Sequence, residues 1–158
     1  MTIAISLTNS LVYLYICLLV VFSMSDIFCK IIRKEIPSFT VYETDETIAF
    51  LDVTPSSPGH TVVILKKHGN NIQEYSSDDL KLIMESVKVV SQKLEKALMP
   101  DSITIGINHK EKKGVPHLHI HLIPRWENDG GHAIQGVVRR KTSETLETLA
   151  RKISLASV

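Results

Sequence analysis

The sequence predicts an α+β domain, a five-stranded antiparallel sheet with one long and one short helix on one face. Five short segments are rich in β-branched and aromatic residues, which favour strands. Most of them are joined by short turns, and short connections favour antiparallel pairing. One longer segment places apolar residues at helical spacing. The chain has 158 residues, enough for one ordinary domain.

The first helix and three strands are expected in the first half of the domain. Asp26 is a helix N-cap, and the following apolar residues at helical spacing predict a short helix that Pro37 closes. Residues 40–44 and 47–52 predict a hairpin around a polar turn. A third strand is expected over residues 60–66, after a stretch broken by proline and glycine.

The second half contains the clearest helix and two more strands. Residues 77–98 carry an apolar stripe, begin with acidic residues and are followed by a proline, so they predict a long helix. Residues 103–108 and 117–124 supply the last two strands. We expect a domain over residues 25–135 and a tail over residues 136–158, with an amphipathic helix that Ser143 caps.

The N-terminal segment, residues 1–24, contains no charged residue and no histidine. Residues 3–22 are about as long as a helix that crosses a bilayer. The segment is a membrane anchor, a cleaved signal peptide, or a non-native extension ahead of an initiator at Met24. If it is an anchor, the basic residues that follow it place the rest of the chain in the cytoplasm. In each case the chemistry lies beyond residue 25.

Composition excludes two classes of protein. Eighteen Lys and Arg residues against 17 Asp and Glu residues leave a net charge of +1, so there is no excess of positive charge for bulk nucleic-acid binding. Two cysteines cannot form a disulfide framework.

The most informative residues are His117, His119 and His121, which alternate with apolar residues. Side chains alternate along a strand, so the three imidazoles are expected on one face and the apolar side chains on the other. A neutral imidazole can attack phosphorus, and a protonated neighbour can stabilise oxyanions or assist a leaving group. Imidazoles also bind metal ions, so a metal site is the competing interpretation.

The motif from His117 to Ile123 resembles the His-φ-His-φ-His-φ-φ signature of the histidine triad (HIT) family. Residues 26–68 look throughout like the N-terminal half of the Hint branch, the purine nucleoside phosphoramidases. The similarity covers about residues 26–125. It implies a HIT-like fold and, as is common in the family, a homodimer formed through the long helix and an adjoining strand.

The resemblance also implies a reaction. A nucleoside 5′-phosphoramidate of the AMP-amine type would be hydrolysed to the nucleotide and an amine, through a covalent nucleotidyl-histidine intermediate and without a metal. Two alternatives stay open: a dinucleoside polyphosphate hydrolase or nucleotidyl transferase of the same superfamily, and a nucleotide-binding protein that has lost catalysis.

Site residues follow from the resemblance, position by position. His119 matches the nucleophile. The supporting catalytic positions match His60, Asn108, His117 and His121. The nucleotide-binding positions match Phe28, Ile31, Phe50, Asp52 and Val53, with the acidic residue on the ribose hydroxyls and the others around the purine.

Two departures from the family pattern stand out. The family usually has a Gly-Gln-Ser/Glu-Val type sequence before the triad, which helps the leaving group, whereas this chain has a shortened, lysine-rich loop ending in Lys112-Lys113-Gly114. Lys113 is a candidate replacement donor. Some bacterial relatives also hold a structural zinc ion through Cys-x-x-Cys and two histidines. The matching residues here are Asp26, Cys29, His68 and His117, so a zinc site and a merely buried Cys29 are both open.

Overall fold

The computed structural model describes residues 26–157, so the predictions for residues 1–24, including a membrane anchor, lie outside the described residues. Helices and strands occur in the order α1 (Ile27–Ile32), β1 (Thr40–Glu43), β2 (Thr47–Leu51), β3 (Thr61–Leu65), α2 (Ser77–Leu98), β4 (Ser102–Gly106), β5 (His119–Arg125) and α3 (Leu146–Ser154). Between residues 26 and 157, no helix is long and apolar enough to cross a membrane.

The five strands form one antiparallel sheet in the order β1-β2-β3-β5-β4. The predicted five-stranded α+β architecture is confirmed. Strand β5 lies between β3 and β4, so the histidine-bearing strand is next to the strand that begins after His60. The homodimer and the cytoplasmic location stay predictions.

Helix α2 covers one face of the sheet. Ser76 caps its N-terminus in a capping box with Asp79, as the polar residues at this end of the helix favour. The apolar stripe of α2 and the inward side chains of the sheet form one buried cluster, which includes Ala49, Val63, Leu65, Ile83, Val87, Val90, Leu94, Leu118, Ile120 and Leu122. Burial of each large side chain contributes about 1.5–3 kcal/mol.

Helix α1 lies on the opposite face, so the prediction that the helices share one face is wrong. Phe28, Ile31 and Ile32 pack against a second buried cluster, which consists of Ile48, Phe50, Val62 and Ile64. The physical reason is that β2 and β3 are buried on both faces. Each face of these central strands therefore needs its own apolar cover.

Helix and strand ends also differ from the predictions. Helix α1 ends at Ile32, well before Pro37, because Lys34 adopts a left-handed conformation with φ of 60°. Thr145 rather than Ser143 caps α3, because its side chain accepts a hydrogen bond from the Thr148 N–H. Strand β4 ends at Gly106, so Asn108 lies in the loop that follows.

The turn before β3 positions a histidine. Gly59 has φ of +79°, a conformation that residues with a Cβ atom rarely adopt. An added Cβ would also clash with Cδ1 of Leu98. This glycine therefore allows the chain to turn tightly over the end of α2 and to place His60 at the start of β3.

Candidate active site

Two strands bring the predicted catalytic histidines together. His119 and His121 on β5 pair with Ile64 and Val62 on β3, on the face that packs against α1. His60 immediately precedes β3 and reaches His121. The rings of His119 and His121 are in edge contact, with centroids 4.8 Å apart.

The His119 ring has one nitrogen available for attack. Its Nδ1 lies 2.7 Å from the carbonyl oxygen of His117. A carbonyl only accepts hydrogen bonds, so Nδ1 carries the proton and donates it. The Nε2 lone pair is then available to a ligand in the cavity that the His119 ring lines. This arrangement is that of an oriented nitrogen nucleophile.

A second chain of hydrogen bonds fixes the proton on His121. The Ser56 N–H donates to Nδ1 of His60 at 3.1 Å, so the His60 proton is on Nε2. That Nε2 lies 2.9 Å from Nδ1 of His121 and donates to it. In neutral His121 the remaining proton is on Nε2, where it is a hydrogen-bond donor toward the cavity.

Burial favours the neutral forms of these two histidines. It lowers the pKa of His60 below the ordinary value, although the Asp52 carboxylate acts to raise it. It also lowers the pKa of His121, an effect that His119 and His60 reinforce and the carboxylates of Asp52 and Glu111 oppose. The pair is therefore uncharged at neutral pH.

The depressed pKa values predict that stability falls in mild acid. Below the ordinary imidazole pKa of about 6.5, the unfolded chain binds protons that folded His60 and His121 do not bind. The free energy of unfolding should decrease as pH falls from 7.5 to 5.5, by at most about 1.4 kcal/mol per pH unit for each histidine. Urea denaturation at several pH values measures this.

The double variant His60→Gln, His121→Gln should show a smaller loss of stability with acid than the wild type. His132→Gln, which changes an exposed histidine, should keep the wild-type pH dependence. If the free energy of unfolding changes with pH equally in the wild type and the double variant, His60 and His121 do not cause the acid sensitivity.

The nucleotide-binding residues predicted from the sequence surround one cavity of about 380 Å³. His119 and His121 line the same cavity, together with Phe28, Ile31, Phe50, Asp52 and Val53. The wall is mostly apolar, and the Phe28 ring is in edge contact with the rings of Phe50 and His119. An apolar cavity with a few polar groups at one side suits a flat aromatic ligand.

Sequence reasoning missed two exposed residues at this cavity. Phe39 is 71% exposed and Ile27 is 51% exposed, and both line it. Phe39 could have been predicted as a binding residue, because a large aromatic side chain just before an edge strand has no core position to fill. Val53, which was predicted, is also strongly exposed.

Asp52 adjoins both the cavity and the histidine pair. Its Oδ1 accepts hydrogen bonds from the N–H and hydroxyl of Thr54. Its Oδ2 lies 3.8 Å from Nε2 of His60. One oxygen is thus held by the turn while the other faces the histidine pair.

A smaller, more polar cavity of about 200 Å³ adjoins His119. Asn108 lines both cavities, and so does Glu111. Lys110 and Lys112 line only the smaller one, and Lys113 lines neither of the two. The replacement donor that we expected at Lys113 therefore does not contact these cavities.

His117 faces away from the larger cavity. Its Nε2 donates to the Leu65 carbonyl oxygen at 2.9 Å, which leaves the Nδ1 lone pair toward Oδ2 of Asp26 at 3.2 Å. Burial lowers its pKa, although the Leu65 carbonyl and Asp26 act to raise it. Its carbonyl group, not its ring, contacts His119.

A cluster of four candidate metal ligands lies beside the active site and consists of Asp26, Cys29, His68 and His117. One ligand atom of each residue lies within 4.8 Å of the others. Oδ1 of Asp26 caps α1 by accepting from the N–H groups of Phe28 and Cys29. Its Oδ2 points into the cluster, 3.3 Å from the Cys29 thiol and 3.1 Å from Nδ1 of His68.

The cluster has the chemistry of a metal site. Two imidazoles, a thiol and a carboxylate are a ligand set that zinc accepts, and ligands on a tetrahedral zinc ion lie about 3.3–3.8 Å apart. The Nδ1 lone pair of buried His117 faces a carboxylate oxygen, an arrangement that a cation between them would stabilise. Burial and Asp26 both raise the pKa of the Cys29 thiol, so the thiolate form that zinc binds would itself depend on the positive charge of the ion. The residues therefore fit a structural zinc ion.

Comparison with known proteins places these features in a family. A model described as "HIT domain" matches residues 33–128. An uncharacterized HIT-like protein of Methanocaldococcus jannaschii is 43% identical over 66% of this chain and 81% of its own length. An adenosine 5′-monophosphoramidase of Schizosaccharomyces pombe is 33% identical over 83% of this chain and 97% of its own.

A solved structure agrees with the family match. The crystal structure of a HIT family member from Bacillus subtilis superposes with a TM-score of 0.72 and 31% identity, covering 85% of this chain and 99% of that one. The family match spans more than half of the chain and includes the whole histidine motif. The chain therefore belongs to the HIT domain family.

Proposed function

We propose that this protein is a nucleotide hydrolase that cleaves nucleoside 5′-phosphoramidates into a nucleotide and an amine. The observation that carries the proposal is the pairing of two oriented histidines at one cavity. His119 presents an Nε2 lone pair there, and neighbouring His121 presents an Nε2 proton. A nucleophile beside a hydrogen-bond donor for the leaving nitrogen suits the cleavage of a phosphorus–nitrogen bond.

In the first step, Nε2 of His119 attacks phosphorus and a bond forms between them. The bond from phosphorus to the leaving nitrogen breaks as that nitrogen takes a proton from solvent water, so that a neutral amine departs. The Nε2–H of His121 stabilises the departing nitrogen by donating a hydrogen bond to it. The hydrogen bond from His60 to Nδ1 of His121 keeps that donor in the required tautomer.

In the second step, water attacks the phosphorus of the nucleotidyl-histidine. One proton of that water passes to the solvent, and the bond between phosphorus and Nε2 of His119 breaks. The free nucleotide leaves, and both histidines are in their starting protonation states. This two-step path divides one difficult displacement into two easier ones.

The lining of the apolar cavity favours a purine nucleoside as the part of the substrate that stays bound during both steps. Phe28, Phe50 and Val53 supply apolar contact for the base. Asp52 supplies an acceptor for ribose hydroxyls. Asn108, at the junction of the two cavities, is a donor for the phosphoryl oxygens.

The test is steady-state hydrolysis of adenosine 5′-phosphoramidate by the purified protein with no divalent metal added, with AMP formation followed by chromatography. We expect saturable turnover, faster than on a diadenosine polyphosphate. Preferential cleavage of the diadenosine compound would favour the dinucleoside hydrolase. Folded protein that binds AMP without turning over either substrate would favour a binding protein.

We also propose that the cluster of Asp26, Cys29, His68 and His117 holds a structural zinc ion. The ion would tie α1 to the segment after β3 and to the residue two positions before His119. Its role is to stabilise the fold, since His117 contacts His119 through its backbone carbonyl group. None of the chemical steps above uses the ion.

A further inference from the structure

The loop over residues 109–114, between β4 and β5, adds a negative charge to the reaction cavity. Two residues of this loop, Glu111 and Gly114, line the cavity that contains His119 and His121. The lysines at positions 110 and 112 line only the smaller cavity. Although three of the six loop residues are lysines, the charge that the loop brings to the larger cavity is that of a carboxylate.

The Glu111 carboxylate is folded over the backbone of Gly114. A Cβ atom added to Gly114 would lie 2.7 Å from Oε2 of Glu111. A side chain at position 114 would therefore push the carboxylate away. Among residues 26–157, no basic side chain lies within ion-pair distance of Glu111. Its charge is available to a ligand.

A carboxylate near the reacting phosphorus is unfavourable unless a cation compensates it, because the substrate phosphoryl group is itself an anion. His60 and His121 do not provide that cation, since burial lowers the pKa of each. Asp52, the other acidic residue of the cavity, is bonded to Thr54 and faces His60. A substrate that carries a second cationic group would supply this compensating charge.

We propose that Glu111 selects substrates whose leaving amine carries a second, positively charged group. The inference rests on the proposed phosphoramidate hydrolysis and specifies its substrate class. The bond that breaks is the same phosphorus–nitrogen bond, and the second ammonium group takes no part in the chemistry. It binds the Glu111 carboxylate and so lowers the energy of the bound substrate and of the transition state alike.

Three adenosine 5′-phosphoramidates with side chains of similar length test this proposal. Their amines are butylamine, which is neutral, 1,3-diaminopropane, which keeps a free ammonium, and β-alanine, which keeps a carboxylate. For the wild type, kcat/KM should be about threefold higher for the cationic compound than for the neutral one, the range of an exposed ion pair. The anionic compound should be about tenfold poorer than the cationic one. Added salt should reduce these ratios.

Glu111→Gln should bring the three kcat/KM values close together, mainly by raising KM for the cationic compound. Glu111→Lys should reverse the order. Glu85→Gln, which removes an exposed carboxylate on α2, is the matched control and should keep the wild-type ratios. Activity of each variant on the neutral compound shows that the site is intact.

Equal wild-type values for the three compounds, or a preference for the anionic one, would overturn this inference and leave the proposed function standing. Ratios that Glu111→Gln does not change would also overturn it. Failure of the wild type to cleave even the neutral compound would instead overturn the proposed function, and the inference with it.

Discussion

Replacement of His119 by alanine is expected to lower kcat for adenosine 5′-phosphoramidate by about 10⁴-fold or more, with AMP binding nearly unchanged. The reason is the proton placement at the site. His119 has its free lone pair at the cavity, whereas neutral His121 presents a proton there. Among residues 26–157, no histidine other than these two lines this cavity, so no further imidazole is placed to replace the lost nucleophile.

The conservative variant His119→Gln separates a nucleophile from a positioning residue. Glutamine can still donate a hydrogen bond to the His117 carbonyl group, but its amide is not a nucleophile. It should therefore be as inactive as His119→Ala. His132→Ala, at an exposed histidine that does not line the cavity, should retain full activity. AMP binding by calorimetry checks that each variant keeps its binding site.

The covalent step can be observed directly. Rapid mixing with substrate followed by an alkaline quench should give wild-type protein with the added mass of one nucleotidyl group, and peptide mapping should place it on His119. An acid quench should release it, because phosphorus–nitrogen bonds are acid-labile. Substantial turnover by His119→Gln, or an adduct on another residue, would contradict the assignment of the nucleophile.

Local patterns were sufficient to predict much of the fold. The apolar stripe, the acidic first turn and the following proline predicted α2 at Ser77–Leu98, the bounds that the structure has. The alternation on β5 predicted that His119 and His121 share a face while Leu118, Ile120 and Leu122 enter the core. These features depend on neighbours a few residues away, and the sequence displays such neighbours directly.

Features that depend on distant contacts were not predictable in the same way. Helix α1 lies on the second face because β2 and β3 are buried on both sides, which no single segment reveals. The tautomer of His121 depends on Ser56 through His60, and these residues meet only in the folded chain. The loop carboxylate of Glu111 reaches the cavity because Gly114 leaves room for it.

The second large effect is expected on stability when the metal is removed. Purified protein should contain about one equivalent of zinc, and its removal by a chelator should lower the free energy of unfolding. A ligand that binds only the folded state stabilises it by about 4 kcal/mol when its free concentration is 1,000 times its dissociation constant. Urea denaturation at controlled free zinc concentrations measures this difference, and metal analysis gives the stoichiometry.

Variants at the four positions distinguish a zinc site from a merely buried polar cluster. Asp26→Asn keeps a side-chain oxygen that can cap α1, since Asn and Asp are similarly good N-caps, but removes the charged ligand. His68→Ala changes a partly exposed side chain and should be tolerated by the fold. Both variants should lose most of the zinc-dependent stabilisation, whereas His132→Ala should retain it.

Cobalt substitution tests the same site without reference to activity. A tetrahedral Co²⁺ ion bound to one thiolate should give a sulfur-to-metal charge-transfer band in the near ultraviolet. Cys29→Ser should abolish that band, whereas Asp26→Asn should weaken cobalt binding and leave the band at saturating metal. Protein that contains no zinc, gains no stability from added zinc and gives no such band would show that Asp26, Cys29, His68 and His117 are only hydrogen-bonded neighbours. Cys29 would then be a small buried side chain of α1, and α1 would be linked to the segment before His119 by those hydrogen bonds and by the contact between the rings of Phe28 and His117.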